Sequence, residues 1–192
     1  MKEPILYKIV RPLITVLFRL IYQPTYIGLE NIYKDRNFIL SGNHTNNFDC
    51  LLLISSTKRV IHFLAKDSLT KGFKKIIFNN IGIIPVNRTI HDKGALNNAI
   101  NCLKENKVIG IFPEGTINRT KDIIMPFKIG CVKMAKDTNT PIIPFIITGQ
   151  YKPFHHSITI EFLKPYIPKS NLTDANQELM DIIKTKLKEK RR

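Results

Sequence analysis

The chain has 192 residues, 43% of them hydrophobic, and its 30 Lys and Arg outnumber 15 Asp and Glu to give a formal net charge of +15. This length fits a single globular domain with a sizeable core. Three Cys without a CxxC pair, and no secretory signal with a small-residue cleavage site, favour a reduced, intracellular setting. Such a charge predicts an anionic partner: nucleic acid, an anionic membrane surface or an acidic protein. No helix-turn-helix, zinc-finger or RNP-type pattern is visible, which argues against nucleic acid.

The first informative stretch, residues 5–22, is predicted to be an amphipathic helix. Its polar residues recur every three or four positions as one narrow stripe: Lys8, Arg11, Thr15, Arg19 and Tyr22. The stretch is too short and too interrupted by charge to span a bilayer, which needs about 20 apolar residues. A wide apolar face with a basic stripe suits a membrane interface. The alternative is a helix packed on the domain's own core, with its basic residues facing water.

After Pro24, short apolar runs alternate with helical patterns. The predicted strands cover residues 25–29, 38–41, 60–66, 82–88, 108–112, 141–148 and 157–162. The predicted helices begin near Asp49 and also cover residues 67–78, 92–105, 127–136 and 174–190. This alternation predicts an α/β fold with a mainly parallel central sheet flanked by helices. We therefore expect residues 1–24 to be an N-terminal amphipathic, membrane-associating segment and residues 25–192 to form the α/β domain.

The segment from Asn43 to Asp49 lies between a buried strand and a helix start. His44 is thereby predicted on the loop at the carboxyl end of a strand, where α/β proteins place their chemistry. Asp49 can cap the helix and fold back toward the His44 ring. A carboxylate on one ring nitrogen fixes the tautomer and leaves the other nitrogen free as a base. His62 and Asp67 have the same spacing, but His62 lies inside a predicted strand, where its ring would face into a sheet.

Two further strand ends carry functional-looking residues: Arg88 after one, and Glu114-Gly115-Thr116 after another. Parallel strands deliver such loops to one edge of the sheet, so these residues can converge with His44. Taken singly, Arg88 also fits a solvated strand end, and Glu114 fits a cap or a surface ion pair. The three Cys lie in or beside apolar runs, and we expect Cys50, like the others, to be a buried side chain rather than a nucleophile.

Three sequence blocks carry a family resemblance: Asn43-His44-x4-Asp49, Gly82-x-Ile84-Pro85-x-Asn87-Arg88 and Phe112-Pro113-Glu114-Gly115-Thr116. In order and spacing they resemble the successive motifs of the glycerolipid acyltransferases, the 1-acyl-glycerol-3-phosphate acyltransferase family. The resemblance extends over about residues 38–148. It implies an O-acyltransferase of phospholipid biosynthesis that moves a fatty acyl group from a thioester to the free hydroxyl of 1-acyl-glycerol 3-phosphate, giving phosphatidic acid.

The same resemblance implies roles for individual residues. His44 would be the general base, and Asp49 would orient it, as the carboxylate does in a serine-hydrolase triad. Arg88 suits the substrate phosphate through bidentate hydrogen bonds. The acceptor site would also include Glu114, Gly115 and Thr116, with Lys66 as a further cation. No metal or prosthetic group is implied, because the co-substrate is acyl-ACP or acyl-CoA.

The implied partners are an anionic membrane surface, a lysophospholipid acceptor, and a thioester of acyl carrier protein or coenzyme A, with no nucleic acid. The implied location is peripheral or monotopic, at the cytoplasmic face of the cell membrane. The chain departs from the family pattern at Ile117-Asn118, where relatives often have Arg-Ser, so Arg119 and Lys121 are the candidates to supply the missing cation. Asn87 stands where an acid is common.

Three alternatives remain open on the sequence alone. The acceptor could instead be glycerol 3-phosphate or another lysolipid. The chain could be a non-catalytic basic protein that binds lipid or nucleic acid, although the His44 and Asp49 pair has no purpose there. A thioester hydrolase would require water in the place of the lipid hydroxyl.

Overall fold

The computed structural model describes residues 4–70, 81–87, 92–169 and 171–191. The helices are α1 (Ile5–Tyr22), α2 (Asp49–Ser56), α3 (Lys93–Lys104), α4 (Gly130–Thr138) and α5 (Leu172–Lys190). The strands are β1 (Thr25–Ile27), β2 (Phe38–Gly42), β3 (Ile61–Lys66), β4 (Ile84–Val86), β5 (Val108–Ile111), β6 (Ile142–Gly149) and β7 (Ile158–Phe162). Short 3-10 turns cover Leu29–Asn31 and Asp67–Thr70.

The seven strands form one sheet in the order β1-β7-β6-β2-β5-β3-β4. All neighbouring pairs are parallel except β6 and β7. The α/β class with a mainly parallel sheet, predicted from the alternation of strands and helices, is therefore confirmed. Strand β2 lies between β5 and β6, in register with both: Ser41 is opposite Ile111 on one side and Pro144 on the other. The carboxyl ends of β2 and β5 consequently deliver their loops side by side.

Helices cover both faces of the sheet, which explains why its central strands are apolar throughout. All five residues of β2 are buried. On one face, α3, α4 and α5 pack in a cluster that includes Leu103, Met134 and Leu179. On the other face, α1 and α2 contribute Phe18, Leu52 and Leu53 to a second cluster. The site described below opens on the side of α1 and α2.

Most predicted elements are found within a few residues of their expected bounds. Side-chain caps start two helices: Asp92 accepts from the Ala95 amide at 2.9 Å for α3, and Asn171 accepts from the Asp174 amide at 3.0 Å for α5. The helix predicted from residue 127 begins at Gly130 instead. The reason is that the Lys128 amide donates to Pro113 O at 2.8 Å, which ties the preceding segment to the loop after β5. Beyond Thr70, the helix predicted to residue 78 lies outside the described residues.

Helix α1 occupies the predicted residues, and two arginines of its polar stripe contact the domain. Arg11 Nε donates to Thr57 O at 2.8 Å, and Arg19 Nη2 donates to Ser55 O at 2.7 Å. These carbonyls lie at the end of α2, where the last C=O groups have no partner within the helix and attract cations. The alternative of a packed helix with its basic residues facing water is therefore wrong for the half-buried Arg11, whereas Arg19 is exposed and also bonds the domain.

The opposite face of α1 is apolar and uncovered. Its exposed residues are Ile5, Leu6, Ile9, Leu13, Val16, Leu17 and Leu20. The most exposed of them, Ile5, shows 73% of its surface. None of the helices in the described part of the chain combines the length and apolar character needed to cross a bilayer.

Candidate active site

The loop after β2 is held in place by a buried amide. Asn43 Nδ2 donates to Ile147 O at 2.9 Å, and its Oδ1 accepts from the Ile147 amide at 2.8 Å. This two-point contact joins the end of β2 to β6. Farther along, His44 O accepts from the Asn118 amide at 2.9 Å. The backbone of His44 is thus fixed by contacts to two other segments.

His44 and Asp49 are in direct contact. His44 Nδ1 lies 2.8 Å from Asp49 Oδ2, and the imidazole stacks on the Phe112 ring with centroids 4.0 Å apart. A carboxylate only accepts, so Nδ1 carries the hydrogen and Nε2 keeps its lone pair. The His44 side chain is 16% exposed and Asp49 is fully buried. The arrangement therefore presents a basic nitrogen while its orienting carboxylate is kept away from water.

Asp49 occupies the first turn of α2, but its carboxylate turns back to the preceding loop instead of capping the helix. Its Oδ2 accepts from the amides of Thr45 and Asn46 at 2.6 and 2.9 Å. Its Oδ1 accepts from the Thr45 hydroxyl at 3.1 Å and from the Tyr151 hydroxyl at 2.6 Å. These donors offset the desolvation of the buried carboxylate. No sequence pattern pointed to Tyr151, which lies 102 residues from Asp49.

Glu114 uses both carboxylate oxygens on backbone amides. Oε1 accepts from His44 N at 2.9 Å, and Oε2 accepts from Met125 N at 2.8 Å. Burial raises the pKa of Glu114, and these two hydrogen bonds act in the opposite direction. The side chain therefore joins the loop after β2 to the connection between β5 and α4. The family resemblance implies that Glu114 belongs to the acceptor site. In the structure, its carboxylate accepts from the His44 amide and so holds the His44 backbone.

Gly115 adopts φ +76°, in the left-handed region that favours glycine. A Cβ at this position would lie 2.8 Å from Lys128 Cε and 2.9 Å from Nζ. The Lys128 side chain therefore lies across the backbone at Gly115, beside the cavity that Gly115 and His44 line. Among the described residues, no ion pair involves Lys128. Thr116, the next residue, is exposed at the same loop.

The other expected cations are placed differently. Lys66 lies at the exposed end of β3, at the same edge of the sheet, but it is not among the described residues that line the cavity. Arg88 lies outside the described residues. Arg119 and Lys121 are exposed on the loop after β5, and neither belongs to the described lining of the cavity. Among the described residues, Lys128 provides a cation beside Gly115, although no sequence pattern pointed to it.

An apolar cavity of about 360 Å³ begins at His44 and runs between α1, α2 and β3. This volume is in the range of about 300–1,000 Å³ that is usual for ligand pockets. Its lining residues are Tyr7, Val10, Arg11, Ile14, His44, Asn47, Cys50, Leu51, Ile54, Phe63, Leu64, Ala65, Ile81, Ile83, Phe112 and Gly115. The imidazole of His44 therefore lies at one end of an apolar cavity that is suited to a hydrocarbon chain.

Cys50 lines this cavity, but its surroundings disfavour a thiolate. Burial raises its pKa to about 12, and the charge of Asp49 acts in the same direction. A nucleophilic cysteine needs the opposite conditions, so these surroundings fit the expectation that Cys50 is not a nucleophile. The side chain is half-buried at the cavity wall, whereas a buried one was expected. Among the described residues, no group of three or more His, Cys, Asp or Glu side chains is placed to hold a metal ion.

A histidine oriented by a carboxylate at the edge of an apolar cavity can act as the general base for transfer or hydrolysis of an acyl group. The family model described as Acyltransferase matches residues 23–148, and the chain belongs to this family. The family resemblance of the three sequence blocks is thereby confirmed.

Two curated relatives are 1-acyl-sn-glycerol-3-phosphate acyltransferases. The protein from Borreliella burgdorferi is 42% identical over 120 residues, which cover 61% of this chain and 48% of the relative. The protein from Bacillus subtilis is 30% identical over 122 residues, covering 62% and 60%. The matched part of the chain thus spans about half to three fifths of these relatives.

A solved structure has the same fold. The 1-acyl-sn-glycerophosphate (LPA) acyltransferase PlsC from Thermotoga maritima superposes with a TM-score of 0.77 at 24% identity, covering 96% of this chain and 81% of that one. At this identity the likeness concerns the fold.

Proposed function

We propose that this protein transfers a fatty acyl group from a thioester to the free hydroxyl of 1-acyl-glycerol 3-phosphate, forming phosphatidic acid. The observation that carries the proposal is the His44–Asp49 contact of 2.8 Å at the mouth of the apolar cavity. Membership of the acyltransferase family and the names of the two curated relatives support the same reaction.

His44 Nε2 acts as the general base. It removes the proton of the acceptor hydroxyl as the oxygen attacks the thioester carbonyl carbon, because an alcohol is too weak an acid to ionise unaided at neutral pH. The new C–O bond forms, the C–S bond breaks, and the proton passes from the imidazolium to the departing sulfur. The products are an ester and a free thiol. A base placed in this way typically contributes about 10²–10⁴-fold to the rate.

Asp49 supports this step without reacting itself. Its carboxylate holds the Nδ1 hydrogen, so Nε2 is the nitrogen that faces the acceptor, and it stabilises the imidazolium that forms. Glu114 contributes by fixing the His44 backbone amide at 2.9 Å. Catalysis then depends on a base whose ring and backbone are both held before the substrates arrive.

The substrates divide between the two environments at His44. The acyl chain occupies the apolar cavity beneath α1, where burial of its methylene groups provides binding energy of roughly 0.8 kcal/mol per CH₂. The acceptor phosphate binds outside, at Gly115 and Thr116, with Lys128 as the cation from the described part of the loop and Arg88 as the expected second one. Acyl carrier protein or coenzyme A delivers the thioester, and the net charge of +15 favours either anionic donor.

The exposed apolar face of α1 supports the proposal that this site works at a membrane surface. A helix that bonds two of its arginines to the domain and leaves seven apolar side chains uncovered is suited to the interface between headgroups and acyl chains. The lipid acceptor then reaches His44 from the membrane, with the protein bound peripherally or monotopically to an anionic surface.

The first test is thioester-dependent acylation of lysophosphatidic acid in vesicles, with wild type beside His44→Ala. We expect phosphatidic acid from wild type and a loss of at least about 10²-fold in the variant, because the base is removed. The matched control is His155→Ala, an exposed histidine whose ring contacts only its own loop at Pro153 O, among the described residues. Equal activity of wild type and H44A would refute the mechanism.

The same assay separates the alternative functions. Glycerol 3-phosphate offered as the acceptor tests the other acyl acceptor. Thioester consumption that does not depend on any acceptor would identify a hydrolase. Thioester that remains intact with every acceptor, while the protein sediments with anionic vesicles, would identify a non-catalytic lipid-binding protein.

A further inference from the structure

Tyr151 contacts the carboxylate that orients the base. Its hydroxyl donates to Asp49 Oδ1 at 2.6 Å, the short distance of a hydrogen bond to a charged acceptor. The residue follows β6 and lies three positions beyond the part of the chain that the family model matches. We propose that Tyr151 is a positioning residue for acyl transfer, which fixes the Asp49 carboxylate and thereby the His44 ring. The proposal rests on the function given above.

The contacts of Asp49 show why one hydroxyl matters. Three donors reach Oδ2, namely His44 Nδ1 and the amides of Thr45 and Asn46. Oδ1 has only side-chain donors among the described residues: the Thr45 hydroxyl at 3.1 Å and the Tyr151 hydroxyl at 2.6 Å. Without the phenol, Oδ1 keeps one long hydrogen bond in a fully buried setting. The carboxylate would then be less restrained against rotation about its Cβ–Cγ bond, and the geometry of its hydrogen bond to Nδ1 would be less well fixed.

Tyr151 is the donor in this contact. Burial raises the pKa of its phenol, and the negative charge of Asp49 raises it further. The phenol therefore keeps its hydrogen at neutral pH and donates it to Asp49 Oδ1.

The ring of Tyr151 is held by aromatic side chains from two other elements. Its centroid lies 6.2 Å from that of Phe18 and 5.7 Å from that of Tyr22, both on α1. Phe48, which precedes α2, lies at 5.7 Å. These edge contacts fix the direction of the hydroxyl. Tyr151 thus contacts both α1, through Phe18 and Tyr22, and the Asp49 carboxylate.

The test is Tyr151→Phe, which removes one oxygen and keeps the ring. We expect kcat to fall about ten- to a hundredfold, which is the range for losing a hydrogen bond to a charged group. The KM values for acceptor and thioester should stay within about twofold, because Tyr151 is not among the described residues that line the cavity. The matched control is Tyr22→Phe, which removes a hydroxyl from the same aromatic cluster but not from the described partners of Asp49.

A double-mutant cycle separates positioning through Asp49 from a general effect on folding. In an Asp49→Asn background, Y151F should change the residual kcat by less than about twofold. An equal loss in both backgrounds would show that Tyr151 acts independently of Asp49 and would overturn the proposal, as would wild-type kcat in Y151F alone.

A spectroscopic measurement tests the inference without any turnover. The proton between His44 Nδ1 and Asp49 should give a low-field NMR resonance that is absent from H44A, displaced in Y151F and unchanged in Y22F. An unchanged resonance in Y151F would refute the positioning role. If wild type transferred no acyl group to any acceptor but the resonance moved in Y151F, the proposed function would fail and the contact with Asp49 would stand.

Discussion

Leu13 and Leu20 on α1 provide the sharpest test of membrane docking. They are 61% and 63% exposed, on the face of α1 opposite the arginines that contact α2. We expect the double variant Leu13→Ser/Leu20→Ser to fold normally, because substitutions of exposed residues usually change stability by less than about 0.5 kcal/mol. Its net charge stays at the wild-type value of +15, so its electrostatic attraction to anionic lipid is unaltered.

The magnitude follows from the exposed fractions. Fully burying a leucine side chain contributes about 1.5–3 kcal/mol, so the three fifths left exposed at each position correspond to roughly 1–2 kcal/mol. The pair then contributes about 2–4 kcal/mol to partitioning. Since about 1.4 kcal/mol is a factor of ten, we expect the variant to bind vesicles on the order of a hundredfold more weakly.

Sedimentation with vesicles of phosphatidylglycerol and phosphatidylcholine, titrated over lipid concentration, measures this change. The control is Ile167→Ser, which also replaces an exposed apolar side chain by serine; Ile167 is 52% exposed. Ile167 follows Tyr166, which pairs with Ile142 at the amino end of β6, so it lies at the other edge of the sheet from His44. Binding of L13S/L20S within about threefold of wild type would mean that α1 is not the docking surface.

Two further substitutions test the loops around the base. Lys128→Met should raise the KM for lysophosphatidic acid about tenfold and leave acylation of uncharged monoacylglycerol unchanged. The control Lys121→Met should not raise the KM for lysophosphatidic acid. An equal effect of Lys128→Met on both acceptors would contradict a phosphate contact. Burial raises the pKa of Glu114 above its ordinary 4.5, so the folded chain keeps this proton to higher pH than the unfolded chain. Denaturant titrations should therefore show that the stability advantage of wild type over Glu114→Gln, measured as the difference in free energy of unfolding, declines as pH rises above about 4.5. A difference that rises with pH would contradict this prediction.

The sequence could predict the pairing of His44 with Asp49 because the interaction is local. His44 follows a strand and Asp49, five positions later, begins a helix, so the short connection keeps the two side chains close together. Parallel strands then bring the loop with the Glu114 motif to the same edge of the sheet. The fold followed from alternating hydrophobic patterns for a similar reason, since the central strands are buried on both faces. Each of these features depends on spacing or periodicity that is visible within a short window of sequence.

The contacts that the sequence could not predict join distant segments. Tyr151 reaches Asp49 across 102 positions, and its own neighbourhood resembles an ordinary polar loop. The sequence pattern predicts a helix that includes Lys128, but the Lys128 amide donates to Pro113 O and the helix begins only at Gly130. Helical periodicity identified the polar stripe of α1 but carries no information on which face meets the domain. That direction is decided by the free carbonyls at the end of α2.

The orientation of α1 links these observations. Arg11 and Arg19 satisfy the carboxyl end of α2, whose other end begins with Asp49. With Arg11 and Arg19 bonded to the domain, α1 presents a wide apolar face outward. On its inner side, Tyr7, Val10 and Ile14 roof the cavity that reaches His44. A membrane that covers α1 would thus lie directly above this cavity. An acceptor held in that membrane would then need only to move its headgroup toward Gly115 to bring its hydroxyl to the base.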